Sequence, residues 1–584
     1  MFNRYYEDEL AFLREMGAEF ARANPAAAPF LAERGADPDV ERLLEGFAFL
    51  AGRIRQKLDD DFPELTQALM ELLWPHILRP LPGFTIVQFD PLPQMVRRAT
   101  VVPRGAEVAS VAIEGTVCPF RTTAPARLLP LSLEDAVVER PAGSAGRLRL
   151  ALRPSPGAKP EEIELAPLRL HLHGDPATAY ALYLALTRRL KGAALRAGSK
   201  VVEVAARCAP GGFGEEEALL PFPATSFPGF RTLTEYFAAP QKFLFVDVLG
   251  LPRLDALGDV AAGEFELLLE FSETPDGALR AGPENVRLHC APAVNLFAAD
   301  SEPLRVDHEK VAYRLRPAGV DPLHGEVFSV DAVEGWVRGS AAARPYRAFQ
   351  SFAHVVERAG EGGTVYYQVE RRASPLDERV DTLLSFVSGD AAPAPPPSET
   401  VVAKLTCTNR GLPARLRVGD VSRATDGSPT CARFRNITPV TPGYPPPLGG
   451  ELHWRLLSHL ALSHRSLGEI ETLRGLLAVY DLPALFDRQA ARRLALRLEG
   501  LQSARIVAEE TLLRGSPLRG SRLELVADES GFAGDGEMLL FGAALDEFLS
   551  EYAALNSYCR LELRGAKQGE TFKWPPRLGR RPLA

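Results

Sequence analysis

The side chains of this 584-residue chain that could do chemistry are few and scattered. His171 and His173 alternate with Leu170 and Leu172, a spacing that sends both imidazoles to one face of a strand. Such a pair can give a metal two nitrogen ligands. No Cys, His or Glu nearby supplies an obvious third, so surface or hydrogen-bonded histidines account better for the pattern. His289 precedes Cys290 and Asp307 precedes His308, yet neither pair lies in a nucleophile motif. The run Gly211–Gly214 lacks the lysine and hydroxyl residue of a phosphate loop and the full dinucleotide spacing, so a tight turn is expected. Asp59, Asp60 and Asp61 lack the spaced oxygen ligands of a calcium loop. Asp61 and Glu64, with Pro63 between, fit instead a helix-capping variant. There is no G-x-S-x-G or H-E-x-x-H, and carboxylates are too plentiful to imply a glycosidase pair. This inventory names no catalytic residue, metal or cofactor and favours a scaffolding role.

Composition narrows the class. The cysteines, Cys118, Cys208, Cys290, Cys407, Cys431 and Cys559, are dispersed without a C-x-x-C, which fits buried free thiols in a reducing compartment. With 67 basic and 75 acidic residues the net charge is −8, which gives no general attraction to nucleic acid. Doublets such as Arg97-Arg98 and Arg188-Arg189 fit solvated surface. Hydrophobic content of 46% and charged content of 24% are those of a folded globular protein. No apolar run reaches the ~18 residues of a membrane helix. Arg4, Glu7, Asp8 and Glu9 do not fit a secretory signal, so a cytoplasmic protein is expected, with no direct membrane insertion.

The elements that must position these side chains divide the chain into an α+β, multidomain order. A helical amino-terminal domain is expected over 1–83. Its first helix places Tyr6, Leu10, Leu13, Gly17 and Phe20 on one stripe, widened by Phe2, Tyr5, Phe12 and Met16, and ends at Asn24-Pro25. A second begins at Asp37-Pro38, with Val40, Leu43, Leu44, Phe47, Ala51, Ile54 and Leu58 as its apolar stripe. A third buries Leu65, Leu69, Leu72 and Leu73 and stops at Trp74-Pro75. From Phe84 the period turns to two, and a β-rich domain with helical insertions is expected over 84–320. Its strands include FTIVQFDP, Leu148–Leu152, Ile163–His173, Val201–Ala206, Phe243–Val248 and Phe265–Phe271, with Pro176–Arg188 helical. A second β-rich module, carrying the proline-rich loop Ala391–Glu399, is expected over 321–448. A compact α+β domain is expected over 449–584, with one helix through Leu456, Leu460 and Leu467 and others at Glu469–Tyr480 and Leu485–Leu498. SARIVAEET, SRLELVADE, MLLFG and YCRLELR read as its strands, and a helix through Leu545, Phe548, Leu549 and Tyr552 closes near Asn556.

Several stretches resemble the TssF family (also VasA or ImpG) of type VI secretion baseplate proteins. They are FNRYYEDELAFLREMGAEFARANP, DDDFPELTQALMELLWPHILRPLPGFTIVQFDP and FGEEEALLPFPATSFPGFRTLTEYFAAPQKFLFVDVLGL. CAPAVNLFAADSEPLRVDHEKVAYRLRP, KLTCTNRGLP and GFAGDGEMLLFGAALDEFLSEYAALNSYCRLELR follow in order, so the resemblance spans Phe2 to about Pro576. Each stretch is modest evidence because none is a chemical motif; their ordered combination is specific.

The resemblance implies a cytoplasmic, non-enzymatic wedge component of a contractile injection apparatus, similar to phage baseplate wedge proteins. In that family two copies hold one TssG chain, and the unit joins TssK and the sheath-initiating TssE. The wedges surround the VgrG spike, dock beneath the inner-membrane complex and start tube and sheath assembly. Wide apolar stripes suit a helix that packs on its own domain and on a partner. Phe2, Tyr5, Tyr6, Phe12 and Trp74 are therefore candidate interface residues, the alternative being that they fill the amino-terminal domain's own core. A phage-tail wedge protein, or a β-rich carbohydrate-active enzyme with a helical module, remains the alternative function.

Overall fold

The computed structural model describes residues 6, 7, 9–14, 16, 20, 38–59, 67, 69–71 and 73–579, less 144, 223–227, 275–278, 308–309, 338–342, 350–364, 375–379, 389–398, 461–463, 514–515, 554 and 568. Helix α1 spans Pro38–Asp59, opening on proline with Asp39 and Glu41 in its first turn, where carboxylates offset the positive end of the helix dipole. The third amino-terminal helix gives way at Trp74, as the following proline requires. The residues of the helix end expected at Asn24-Pro25 and of the Asp61–Glu64 cap lie outside those described.

Phe84–Pro91 is the strand that FTIVQFDP predicts, and it organises the body. It pairs antiparallel with Cys290–Val294 on one side (Phe84 opposite Val294) and with Ala432–Asn436 on the other (Phe89 opposite Phe434). Thr116–Thr122, Glu107–Ile113 and Val421–Arg423 complete this six-stranded antiparallel sheet. Between Cys290–Val294 and Val421–Arg423 the chain leaves to build another sheet. Its order is Phe297–Asp300, Glu399–Thr408, Glu326–Val337, Arg344–Ala348, Val365–Ala373, Val380–Ser388 and Tyr313–Arg314, with Leu304–Val306 also on Glu399–Thr408. Residues 297–408 therefore form an inserted module. Both sheets pair strands across the boundary expected at 320/321, because periodicity along the chain reports a strand's existence and not its neighbour.

A five-stranded antiparallel sheet (Lys200–Val204, Leu190–Ala197, Phe265–Phe271, Arg147–Pro154, Leu131–Glu139) carries Leu148, Leu150, Leu152, Leu267 and Leu269 inward. Its outer face holds cross-strand ion pairs, Arg149 to Asp135 (2.7 Å) and Glu139 (2.7 Å). Helix α2 (Pro176–Arg188) starts where expected, capped by Asp175, whose carboxylate accepts from Thr178 N at 3.1 Å. Helix α3 spans Pro228–Ala238. The strand expected over Ile163–His173 is shorter, Leu168–Leu172, since Ile163 follows a 3-10 turn.

The carboxyl-terminal third contains α4 (Gly450–Leu460), α5 (Ile470–Tyr480), α6 (Arg488–Gly500) and α7 (Asp535–Ser550). Leu467 falls in a separate turn, His464–Gly468, and not in α4 as expected. The long hairpin Leu501–Leu513 with Ser516–Ala527 is followed by α7 and by Tyr558–Gly565, which pairs parallel to Ser516–Ala527. A parallel pair needs such a crossover. MLLFG is thus helix and not strand: Met538–Gly542 lies inside α7. A short wholly apolar run has no period to read; here it marks a helix buried nearly all round, packed on α2, α3 and Tyr558–Gly565. One core joins these helices to the five-stranded sheet, running from Met70 and Trp74 through Leu150 and Leu267 to Leu545 and Trp574, so it crosses the boundary expected at 448/449. Asn556, expected to close α7, has a left-handed φ of 63° but lies beyond the helix, which ends at Ser550 with Glu551 as its cap.

Candidate partner interface

The groups singled out for chemistry are occupied in holding the fold. His171 is buried, its Nε2 3.3 Å from Gln241 O, and burial depresses its pKa to about 3. His173 shares its face, the rings 6.0 Å apart. Among the described residues no third ligand joins them. The His289 ring accepts from Leu129 N at 3.1 Å, and burial lowers its pKa to about 4. The adjacent Cys290 thiol is driven far up by burial, the opposite of what a nucleophile needs. All six cysteines are free thiols. Asp307 accepts from Tyr313 OH at 3.1 Å, while His308 lies outside the described residues.

Gly211–Gly214 is the expected turn. The Gly211 amide donates to Phe245 O (2.8 Å) and the Gly212 amide to Glu217 Oε2 (2.8 Å), so these N–H groups are spent on the chain itself. Gly212 has φ +89°, a conformation that favours glycine. Glu217 in turn meets Arg169, which Asp247 clamps through both oxygens at 2.7 Å.

At the amino terminus the fold leaves a row of large apolar side chains uncovered. Among the residues of α1 whose burial is described, Ala48 and Gly52, one turn apart, are buried, with Leu44 and Ala51 half-buried beside them. Leu43 and Phe47 of the expected stripe face out, 74% and 61% exposed, and Leu50 (61%) extends the same row at the next turn. Phe12 is 57% exposed and Met16 and Phe20 are also outward, whereas Leu10 is buried and Tyr6 half-buried. An Arg14–Glu41 ion pair ties that first helical segment to α1. Phe2 and Tyr5 lie outside the described residues. Trp74 belongs to the other class. It is 1% exposed, edge-on to Phe230 with centroids 5.7 Å apart, and Phe230 stacks on Tyr480 at 5.5 Å. Its ring is committed to the chain's own core.

Sequence reasoning missed the polar residues that seat this head. Gln67 is buried and uses its amide as a strand would use a peptide. Its Nε2 donates to Arg371 O (2.9 Å), and the Arg371 amide donates back to Gln67 Oε1 (3.2 Å). The Arg371 guanidinium donates to Phe328 O (2.8 Å) and lies 3.8 Å from Glu71; burial lowers its pKa to about 10. Burial raises Glu71, against the pull of Arg371 and Arg79. The Arg79 guanidinium covers the Phe328 ring, 5.4 Å from its centroid. Gln67 and Arg371 are 304 positions apart, so no local pattern signals this contact.

Among the described residues no helix is long and apolar enough to cross a membrane. The family model described as Type VI secretion system, TssF, matches residues 1–581. The chain is 32% identical to the type VI secretion system component TssF1 of Pseudomonas aeruginosa, with 99% of this chain and 98% of the relative covered. It is similar, at a TM-score of 0.76 and 31% identity, to a chain of the TssK-TssF-TssG baseplate subcomplex solved by cryo-electron microscopy, over 93% of this chain and 100% of that one. A chain of the baseplate complex from the type VI secretion system gives a TM-score of 0.61 at 29% identity, over 100% of both.

Proposed function

This chain belongs to the TssF family, baseplate components of the type VI secretion system, and from that premise we propose that it works without catalysis, as a wedge subunit acting through its interfaces. The observation that carries this is the outward apolar row Leu43, Phe47 and Leu50 on α1, in a chain similar over nearly its whole length to one solved with TssK and TssG. Apolar surface rich in large side chains is what a permanent assembly interface buries.

On this basis the α1 row and Phe12 pack against a TssG homologue, with Phe2, Tyr5 and Tyr6 beside them, and Trp74 takes no part. A TssK homologue joins the same unit. Two copies of this chain share one TssG, and the wedge then meets TssE and VgrG homologues beneath the inner-membrane complex, on the cytoplasmic side. Co-expression with TssG and TssK homologues tests this directly. Wild-type protein should co-purify with both as one species. Leu43→Asp with Phe47→Asp should abolish capture of TssG while leaving the melting temperature within about 2 °C, because exposed positions contribute little to the chain's own stability. Wild-type protein that ignores both partners would overturn the proposal.

A further inference from the structure

The segment 67–79 touches two bodies at once. Met70 and Trp74 are buried in the large core, whereas Gln67 and Glu71 hold Arg371 of the inserted module. That module leaves and re-enters the body at two adjacent crossings. They are clasped by Asn295 Oδ1, which accepts from Asn409 N (2.7 Å) and Thr408 Oγ1 (2.9 Å), and by Asn295 Nδ2, which donates to Asn409 Oδ1 (2.9 Å). Two crossings side by side make a pivot, and a tie at a distance from them is needed to fix the angle. Arg371 lies on Val365–Ala373, three strands from Glu399–Thr408 in the sheet order, a lever of about 14 Å at ordinary strand spacing. Among the described residues Arg344–Ala348 covers only Tyr366 and Tyr367 on one side of Val365–Ala373. The Gln67 amide takes a strand's place at Arg371.

We propose that segment 67–79 is a strap that sets the angle of the inserted module on the body, and that Gln67 is its positioning residue. The hook is polar, so its groups find water when it opens. The pivot instead has the buried Asn295–Asn409 pair and the apolar cluster that holds Leu296 and Phe328 together with Leu81 and Leu219, which resist opening. Transmission from a partner to the module through the strap rests on the interface proposed above; the strap itself does not.

The test is the distance between spin labels at Lys191→Cys on the body and Lys404→Cys on the module, both exposed lysines, with Cys208 and Cys431 changed to Ala. Diluted into an excess of unlabelled protein, so that only distances within one chain are read, the isolated chain should give one narrow distribution, and Gln67→Met, which keeps the length of the side chain but neither hydrogen bond, should widen it about twofold or add a second distance. An unchanged distribution in Gln67→Met and in Gln67→Met with Glu71→Gln would overturn the strap. Amide exchange of the unsubstituted chain is the second measurement. Val365–Ala373 should open independently of the core helix α7, and exchange only through global unfolding would also overturn it. Because neither measurement uses a partner, their failure is distinct from a failure to co-purify. A TssG homologue that binds without shifting the distance would overturn the transmission alone.

Discussion

Glu235 and Lys242 are both buried and paired, with Glu235 Oε1 also accepting from Leu219 N at 2.9 Å. Burial lowers the Lys242 pKa against the pull of Glu235. Lys242→Met should therefore cost about 3 kcal/mol, the low end for a broken buried pair, because Arg231 at 3.9 Å still faces the Glu235 carboxylate; the guanidinium unfolding midpoint reads it out. Glu326 offers a pH-dependent counterpart. Burial lifts its carboxyl to about 7, against Arg410 and Arg371. The folded chain then keeps a proton that the unfolded chain releases near the ordinary 4.5, so this group costs stability increasingly as pH rises from 4.5 to 7. Glu326→Gln should stabilise the protein by about 1–3 kcal/mol at pH 8, with most of the gain gone at pH 5. Melting at the two pH values checks it, and an equal gain at both would contradict the assignment. None of these roles is legible in sequence, where Lys242 and Glu326 are indistinguishable from surface charges until the fold removes their water.

At the scale of the element, periodicity worked where one face meets water and failed where none does. Phe84–Pro91 and α2 stand where their patterns put them. Inside α7 the apolar side chains surround the helix, so MLLFG carried no period. Close packing there has a testable cost. A Cβ on Gly536, in the first turn of α7, would fall on the Tyr180 carbonyl oxygen of α2. Gly536→Ala should destabilise the protein although alanine favours a helix by about 1 kcal/mol over glycine. A raised melting temperature would show that α2 and α7 can part at no cost. On α1 the stripe was legible, but which way it faced was not: small Ala48 and Gly52 face inward and Leu43, Phe47 and Leu50 outward.

For the molecule as a whole, that outward row predicts self-association of the isolated chain. Light scattering on eluting protein should show species larger than a monomer, and Leu43→Asp with Phe47→Asp should reduce them. A monodisperse wild-type monomer at high concentration would argue against an apolar surface in need of cover. The domain plan follows sheet pairing and not chain order. Residues 297–408 interrupt one sheet to build another, and the carboxyl-terminal helices share a core with strands some 300 residues earlier, as Leu545 with Leu267 illustrates.

By itself the sequence determined the α+β class, the types and places of most elements, the dispersed free thiols and, through ordered landmarks from Phe2 to Pro576, the TssF family. These depend on local period, turn chemistry and order along the chain, all of which a string of residues contains. Only the tertiary structure decided that Trp74 is core while Phe47 is surface, that Gln67 completes a strand edge at Arg371, and that the body closes around an insertion. Those outcomes depend on which distant segments exclude water from one another, and burial of this kind has no signature in the neighbours of a residue along the chain.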